Sequence, residues 1–440
     1  MIQAEPHITV GIMSGHSIRF TLLGDYRTAE GGLFPAGVYE ATISSDGATF
    51  TIDNICHKSL SLMPVDDDTL FELSGVTIGV EFHWQRCESQ RFPGELHLLC
   101  DAGVVWAINE VSLECYLSSV ISSEMSATSS LELLKAHAVV SRSWLWAQLP
   151  RFTGATPRVP TQAVVSDTDT EIVRWYDRDD HTLFDVCADD HCQRYQGMTR
   201  VVSPCVAEAI AATRGEVLMY DGQVCDARFS KCCGGVTERF DACWGDEAHP
   251  YLSPIADVST ATTRPCLTDE AQASRFILSS PDAYCHTTDT AILSQVLNHY
   301  DRETPDFYRW QVRYGVEELS SLVYCRSGVD FGRILSLTPI ERGASGRIVR
   351  LQIEGTRRTM TVGKELYIRR ILSPTHLYSS AFVVERDGDD FVLRGAGWGH
   401  GVGLCQIGAA VMAHRGIDYR TILRHYYPAT TLHRLYGECL

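Results

Sequence analysis

Three stretches of the sequence and one isolated carboxylate set side chains at spacings that could do chemistry. In HTLFDVCADDHC, residues 181–192, His181, Cys187, His191 and Cys192 offer two imidazoles and two thiols, a set suited to tetrahedral zinc. The spacing is not that of a zinc finger, and adjacent His191 and Cys192 need an irregular loop to converge. Spacing alone leaves a reduced cysteine pair beside surface histidines equally open. Four protein ligands would close the coordination shell and make such a site structural, whereas a catalytic zinc keeps one position for water. In GAGWGHGVGLCQIG, glycines at 395, 397, 399, 401 and 403 would let the backbone approach a ligand and present its amides. There Trp398 could stack on a sugar face, while His400 and Gln406 could bond hydroxyls or an N-acetyl group. The lysine of a phosphate loop is absent, and a tight β-to-α turn around a buried tryptophan is the plainer reading. In FSKCCGGVTERFDACWG, residues 229–245, Gly234 and Gly235 allow a tight turn, with Thr237 and Glu238 just beyond it. On these residues alone an ordinary hairpin turn with a solvated glutamate is the favoured reading.

The carboxylate is Glu124. Ser112 can cap a helix running to about Glu124, with Leu113, Leu117, Val120, Ile121 and Glu124 on one face. A carboxyl group on a buried stripe loses hydration, which favours its neutral form and suits it to general acid work. The alternative is a half-exposed carboxylate at a helix end, pairing with Lys135 or Arg142. A second helix, LELLKAHAVVSRSWLWAQL, is opened by cap candidates at Thr128 to Ser130 and closed by Pro150. Its apolar positions exceed one stripe, so it belongs in a core. His137 and Arg142 on it face either a cleft or the helix surface.

The positioning elements fall into two styles. The first hundred residues alternate apolar runs with turn signals, as in HITVGIMSG, SIRFTLLGDYR, GVYEATISSDGATFTI and VTIGVEFHW, which predicts hairpins in a β-rich layer. From Glu110 onward helical and strand patterns mix: DEAQASRFIL and TAILSQVLNHY read as helices and FYRWQVRYG as a strand. GRIVRLQIEGTRRTMTVG reads as a hairpin, and Gln406 to His414 as a helix ended by Gly416. The fold class expected is α+β. A β-rich region spans 1–104, and a mixed α/β domain with a substrate groove spans 105–440, either whole or as lobes 105–256 and 257–440.

Composition sets limits. Lys and Arg total 38 against 55 Asp and Glu, a formal charge of -17, which disfavours nucleic acid and anionic lipid as partners. No run is apolar and long enough for a transmembrane helix. The start, MIQAEPHITVGIMSGHS, lacks the plan of a secretory signal, so either the protein stays inside or its natural start lies elsewhere. Sixteen cysteines are scattered through a chain that does not need them as staples, so most are expected to be small buried apolar groups. Cys232 and Cys233 are consecutive, with α-carbons about 3.8 Å apart, too close for an ordinary mutual disulfide.

The residues also carry a family resemblance. GAGWGHGVGLCQIGAAVMAHRGIDYRTILRHYYPATTL closely resembles the sporulation stage II protein D family, also called the LytB or amidase-enhancer domain. That family reads G-x-G-WGHGVGMSQ-x-GA, then MA-x-x-G and ILxHYYPGT. Upstream, LECYLSSVISSEMSATSSLELLKAHAVVSRSW resembles the family's segment around its EMP motif, and DVCADDHCQRYQG, CGGVTE and YIRRILSPTHLYSSAF also have their places. The resemblance covers about residues 105–440. It implies peptidoglycan glycan strands as substrate, a lytic transglycosylase cutting between N-acetylmuramic acid and N-acetylglucosamine, or an enhancer of a cell-wall amidase. Under it Glu124 is the catalytic glutamate, His181, Cys187, His191 and Cys192 bind zinc, and Arg142, Ser230, Gly234, Gly235, Thr237, Glu238, Trp398, His400 and Gln406 line the glycan site. A wall substrate implies the cell envelope. The chain departs from the pattern where Ser230, Lys231, Cys232 and Cys233 replace His-Ser-Ser-Cys, where Ser126 replaces Pro, and where Leu404 and Cys405 replace Met-Ser.

Overall fold

Hydrophobic alternation builds the N-terminal part of the chain. The computed structural model describes residues 4–79, 85–154, 164–175, 181–201, 203–259, 264–297 and 306–437. Ser17–Leu22 buries Ile18, Phe20 and Leu22 and turns Ser17 and Arg19 outward, the period-two pattern of a strand with one face in a core. Leu96 and Leu98, on strand Glu95–Asp101, are buried in the same way. Such strands form a seven-stranded sheet, which includes His7–Gly15, Val104–Ser112 and Glu95–Asp101, and a six-stranded sheet, which includes Ser17–Leu22, Leu70–Ile78 and Arg86–Pro93. Stacked Phe71 and Phe92, ring centroids 5.4 Å apart, anchor the core; fully burying each such ring contributes about 1.5–3 kcal/mol. Residues 80–84, the end of the run VTIGVEFHW, lie outside the described residues.

The fold is α+β, and it clusters into two compact units that interleave along the chain. One comprises Met1–Arg142, Asp180–Val217 and His433–Leu440, the other Ser143–Asp179 and Leu218–Leu432. The strand Val104–Ser112 pairs with His7–Gly15 and Glu95–Asp101, so it belongs to the same sheet as the N-terminal hairpins. It leads directly into helix Leu113–Glu124, whose first turn is capped by the Ser112 hydroxyl accepting from Cys115 N–H at 3.4 Å. Helix Leu131–Gln148 follows, with the Ser130 carbonyl accepting from Leu134 N–H at 3.1 Å. Leu133, Leu134, Ala136, Ala138, Val139 and Val140 are all buried, the core placement expected from its apolar excess.

In the second unit a five-stranded sheet contains the hairpin Ile348–Gly355 and Thr359–Gly363, registered Ile353 to Met360. A three-stranded sheet orders Arg309–Gly315, Asp390–Ala396 and Phe382–Asp387. Short parallel strands Phe229–Ser230 and Leu404–Cys405 join the double-glycine turn to helix Gln406–His414. That helix stops where Gly416 takes φ +80°, a backbone conformation glycine adopts without strain. Among the described residues no helix is long and apolar enough to cross a membrane.

Candidate functional site

In the first unit, helix Leu113–Glu124 buries Leu113, Leu117, Val120 and Ile121 completely, together with Tyr116, Ser119, Ser122 and Ser123. Glu124 itself is half-buried, because it is the last helical residue and Met125 already has extended dihedrals. Its carboxylate is held by the chain that follows the candidate metal ligands: Arg194 N–H donates to Glu124 Oε1 at 3.1 Å. The same segment is fixed by Gln196 N–H to Ser119 Oγ at 3.0 Å, Tyr195 hydroxyl to Asn109 Oδ1 at 2.5 Å, and Tyr195 stacked on Tyr116 at 5.1 Å.

Just before that segment, His181, Cys187, His191 and Cys192 converge, their ligand atoms all within 4.8 Å of one another. Cys192 Sγ lies 3.5 Å from His181 Nε2 and 3.5 Å from His191 Nδ1, and Cys187 Sγ lies 3.8 Å from His191 Nδ1. Zn–S and Zn–N bonds of about 2.3 and 2.0–2.1 Å at a tetrahedral angle put S and N about 3.6 Å apart, so the donor set fits such an ion. Hydrogen bonding, from Cys192 first and then the two imidazoles, holds the pKa of the Cys187 thiol below its ordinary value. The loop is the irregular one that adjacent ligands require: Cys187 ends a two-residue strand beside His7–Gly15, and a turn closes between Asp189 O and Cys192 N.

Arg142 occupies the interior of this unit with no solvent exposure. Its guanidinium grips Glu114 through Nε to Oε1 at 3.0 Å and Nη2 to Oε2 at 2.6 Å, and donates to Glu216 O at 2.9 Å. Tyr436 hydroxyl, at 2.6 Å, and Gly215 N–H, at 3.1 Å, also donate to Glu114 Oε1. This is an ion pair inside a core, and it occupies the Arg142 guanidinium with protein partners.

In the second unit the two glycine-rich stretches pack on each other. Cys232 N–H donates to Trp398 O at 3.1 Å and Trp398 N–H to Cys232 O at 2.8 Å. A Cβ on Gly397 would stand 2.7 Å from Cys232 O, and one on Gly234 2.9 Å from Gly397 N. The close approach that needs these glycines is therefore of the chain to itself. Arg347, fully buried and not singled out by any local motif, clamps the pair by donating to Gly399 O at 2.9 and 3.1 Å and to Cys233 O at 3.2 Å. Gly235 lies against Tyr308 and Phe276. Ser230 is buried on its short strand, and Thr237 is buried with its hydroxyl accepting from Ile255 N–H at 2.9 Å.

Glu238, expected in a turn exposed to solvent, is fully buried. Its oxygens accept from Ala344 N–H at 2.8 Å, Ser345 N–H at 3.0 Å, Ser345 hydroxyl at 2.6 Å and Arg239 N–H at 2.8 Å. Four donors on one carboxylate explain how a charge is tolerated there. They also leave it no reach to activate a water.

His400 is held as a neutral ring. Its Nδ1 accepts from Val402 N–H at 3.0 Å, and Trp244 meets it edge-on at 5.0 Å. Burial, reinforced by Arg228, Arg347 and Arg369, pushes its pKa well below the ordinary imidazole range. Trp398 is half-buried, stacked on Phe307 at 4.7 Å with Tyr378 against it edge-on at 4.8 Å. Gln406 is buried, and the next amide, Ile407 N–H, donates to Lys231 O at 3.1 Å. That first-turn amide of helix Gln406–His414 is thus satisfied by the chain itself.

His400 has a partner in this respect in His376, whose pKa burial, followed by Arg369, Arg370 and Arg326, lowers to about 3. In the unfolded chain both rings return to about 6.5. Below that pH the unfolded chain binds protons the folded one refuses, so stability is complete above about 6.5 and declines as pH falls toward 3. We expect the melting temperature to fall from pH 7 to pH 4 and the slope to flatten in His376→Gln. An unchanged slope would remove this ring from the account.

A second group of potential ligands, Cys233, Asp257, Cys285 and Cys405, is wholly buried, with ligand atoms again within 4.8 Å of one another. Its members are 24 to 172 residues apart in sequence, so no motif announces it.

Two family models match parts of the chain. Residues 101–220 match the family model described as Stage II sporulation protein, and residues 238–403 match a domain of unknown function, DUF8618. The chain is 26% identical over 333 residues to the "Amidase enhancer" of Bacillus subtilis (strain 168), covering 72% of this chain and 40% of that protein. It is 26% identical over 329 residues to "Stage II sporulation protein D" of the same organism, covering 74% of this chain and 76% of the relative. The corresponding figures for "Stage II sporulation protein D" of Bacillus amyloliquefaciens are 24% over 322 residues, 73% and 74%. The chain thus spans less than half of the amidase enhancer and about three quarters of the sporulation proteins. Glu124, Arg142 and all four converging ligands fall within the first matched segment, and over nearly three quarters of its length the chain is similar to stage II sporulation protein D and amidase-enhancer proteins.

Proposed function

We propose that the protein acts on peptidoglycan as a lytic transglycosylase with Glu124 as its single acid and base. The observation that carries this reading is the half-buried carboxyl group at the end of helix Leu113–Glu124, oriented by Arg194 N–H. Protonated Glu124 gives its proton to the glycosidic oxygen between N-acetylmuramic acid and N-acetylglucosamine. The bond from the muramic anomeric carbon to that oxygen breaks as an oxocarbenium-like state develops. The sugar's own 6-hydroxyl oxygen then bonds to the anomeric carbon, and its proton goes to the Glu124 carboxylate, which restores the acid and yields a 1,6-anhydro end. No water is consumed. Hydrolysis would require a second carboxylate able to activate water or attack the sugar, and the burial of Glu238 disfavours it for that role. Within the second unit, the half-exposed indole of Trp398, backed by Phe307, is an aromatic face of the kind that stacks on sugar rings.

His181, Cys187, His191 and Cys192 would hold a zinc ion, whose contribution would be positional, fixing the loop that continues into Arg194 and with it the Glu124 carboxyl group. Zinc extraction, or His191→Ala, is expected to raise amide hydrogen exchange over residues 187–196 and to lower strand cleavage about 10–100-fold. Unchanged exchange in metal-free protein would sink this role. The name of one relative favours a second reading, in which the protein grips glycan and enhances a cell-wall amidase without cutting. Mass spectrometry of peptide-free glycan strands after incubation decides between them: anhydro ends mean a transglycosylase, while intact strands with a stimulated amidase mean an enhancer.

A further inference from the structure

We infer that Cys233, Asp257, Cys285 and Cys405 form a second metal site, a buried Cys3Asp centre for zinc in the second unit. Cys233 Sγ is 3.6 Å from Cys285 Sγ and 3.5 Å from Asp257 Oδ2. A tetrahedral zinc with Zn–S of about 2.3 Å and Zn–O of about 2.0 Å has S···S edges of about 3.8 Å and S···O edges of about 3.5 Å. The sulfurs are well outside the roughly 2.05 Å of a disulfide bond.

The surroundings are built as a second shell is built. Asp257 turns one oxygen to the sulfurs and is fixed through the other by Tyr426 hydroxyl at 2.8 Å, with His425 Nε2 at 3.5 Å. Cys285 N–H donates to Asp257 Oδ2 at 3.1 Å, Cys233 N–H to Cys405 Sγ at 3.2 Å, and Gly235 N–H to Cys233 Sγ at 3.4 Å. Amide donors on sulfur relieve the negative charge that three thiolates would bring. Two guanidinium groups add to this from the adjoining backbone, Arg347 on Cys233 O and Arg309 on Gly234 O. All four ligands are at most 2% exposed. A carboxylate this deep is expected to be paired or to coordinate a metal. Room for it exists because residue 408 is glycine: a Cβ there would come within 2.7 Å of Asp257 Oδ2.

The ion's effect is local and mechanical. It ties the Cys232–Gly235 turn, the segments at 257 and 285, and the start of helix Gln406–His414 at one point, and through the Cys232–Trp398 bridge it fixes the turn that presents Trp398. The site is independent of the lytic activity proposed above and of the ligands at 181–192.

The test is a metal and thiol count on the full chain purified under reducing conditions, by plasma mass spectrometry and thiol titration. Wild type should hold one more equivalent of zinc than Cys285→Ser, and His181→Ala/His191→Ala should keep the equivalent that Cys285→Ser loses. Cobalt loaded into the double histidine variant should show charge-transfer absorption of three thiolates. Because Cys285→Ser could fail to fold, the cobalt spectrum stands as a measurement that needs no change at the buried site. A double histidine variant that folds yet binds neither zinc nor cobalt overturns the proposal, as does loss of two titratable thiols to a Cys233–Cys285 disulfide.

Discussion

Glu124→Gln is expected to reduce release of anhydro ends from peptide-free glycan strands by about 10²–10⁴-fold, the usual contribution of a positioned acid and base. Glutamine retains an oxygen for Arg194 N–H, now 3.1 Å from Glu124 Oε1, so the loop after the metal ligands should stay in place. It cannot supply the proton that leaves with the glycosidic oxygen. The melting temperature should stay near wild type, and binding of uncleaved strands should persist. A variant that folds and cleaves at the wild-type rate would refute Glu124 as the acid and base. A variant that loses cleavage only by unfolding would remove the support. If wild type itself leaves strands intact while amidase stimulation survives the substitution, the enhancer reading replaces the enzyme.

Arg142→Ala should destabilise the first unit by about 3–5 kcal/mol, because it strands the Glu114 carboxylate in a core that excludes water. Glu114 is 4% exposed and would keep only Tyr436 hydroxyl and Gly215 N–H as donors. The double substitution Arg142→Met with Glu114→Leu should recover much of the loss, since burying two apolar groups of similar volume avoids the stranded charge. Urea unfolding followed by tryptophan fluorescence measures both. If Arg142→Ala keeps its stability and instead loses affinity for glycan strands, the side chain faces substrate and the interior assignment fails.

Local signals made several elements of both units legible. Ser112 as a cap, the apolar stripe of helix Leu113–Glu124, the apolar excess of helix Leu131–Gln148 and the alternation on either side of Gly355 each concern neighbours in sequence. For His181, Cys187, His191 and Cys192 spacing left two readings open, and it took the family resemblance to favour the convergence the structure has. What residue type could not convey is whether a polar group faces water or protein. Arg142 and Glu238 look like surface charges, yet both are buried and saturated, by partners up to 107 residues distant for Glu238. The glycines around His400 looked like a ligand cradle, but their neighbours are Arg347, Arg228 O and Cys232 O, supplied by distant segments. Cys405 stood out only as a departure from a family pattern, and its three companions lie on other segments.

The contact between Glu114 and Tyr436 spans 322 residues. A ribosome that has made the N-terminal sheets, the first helix and Arg142 has therefore not yet made one of the donors that settle this buried carboxylate. The second unit's residues 218–432 must emerge in between. During that interval the first unit waits as an incomplete intermediate with its strongest polar cluster short of a partner, and such long-range closure slows folding and prolongs exposure to aggregation. Truncation before Tyr436 should thus yield chains that engage chaperones during synthesis rather than a shorter stable protein.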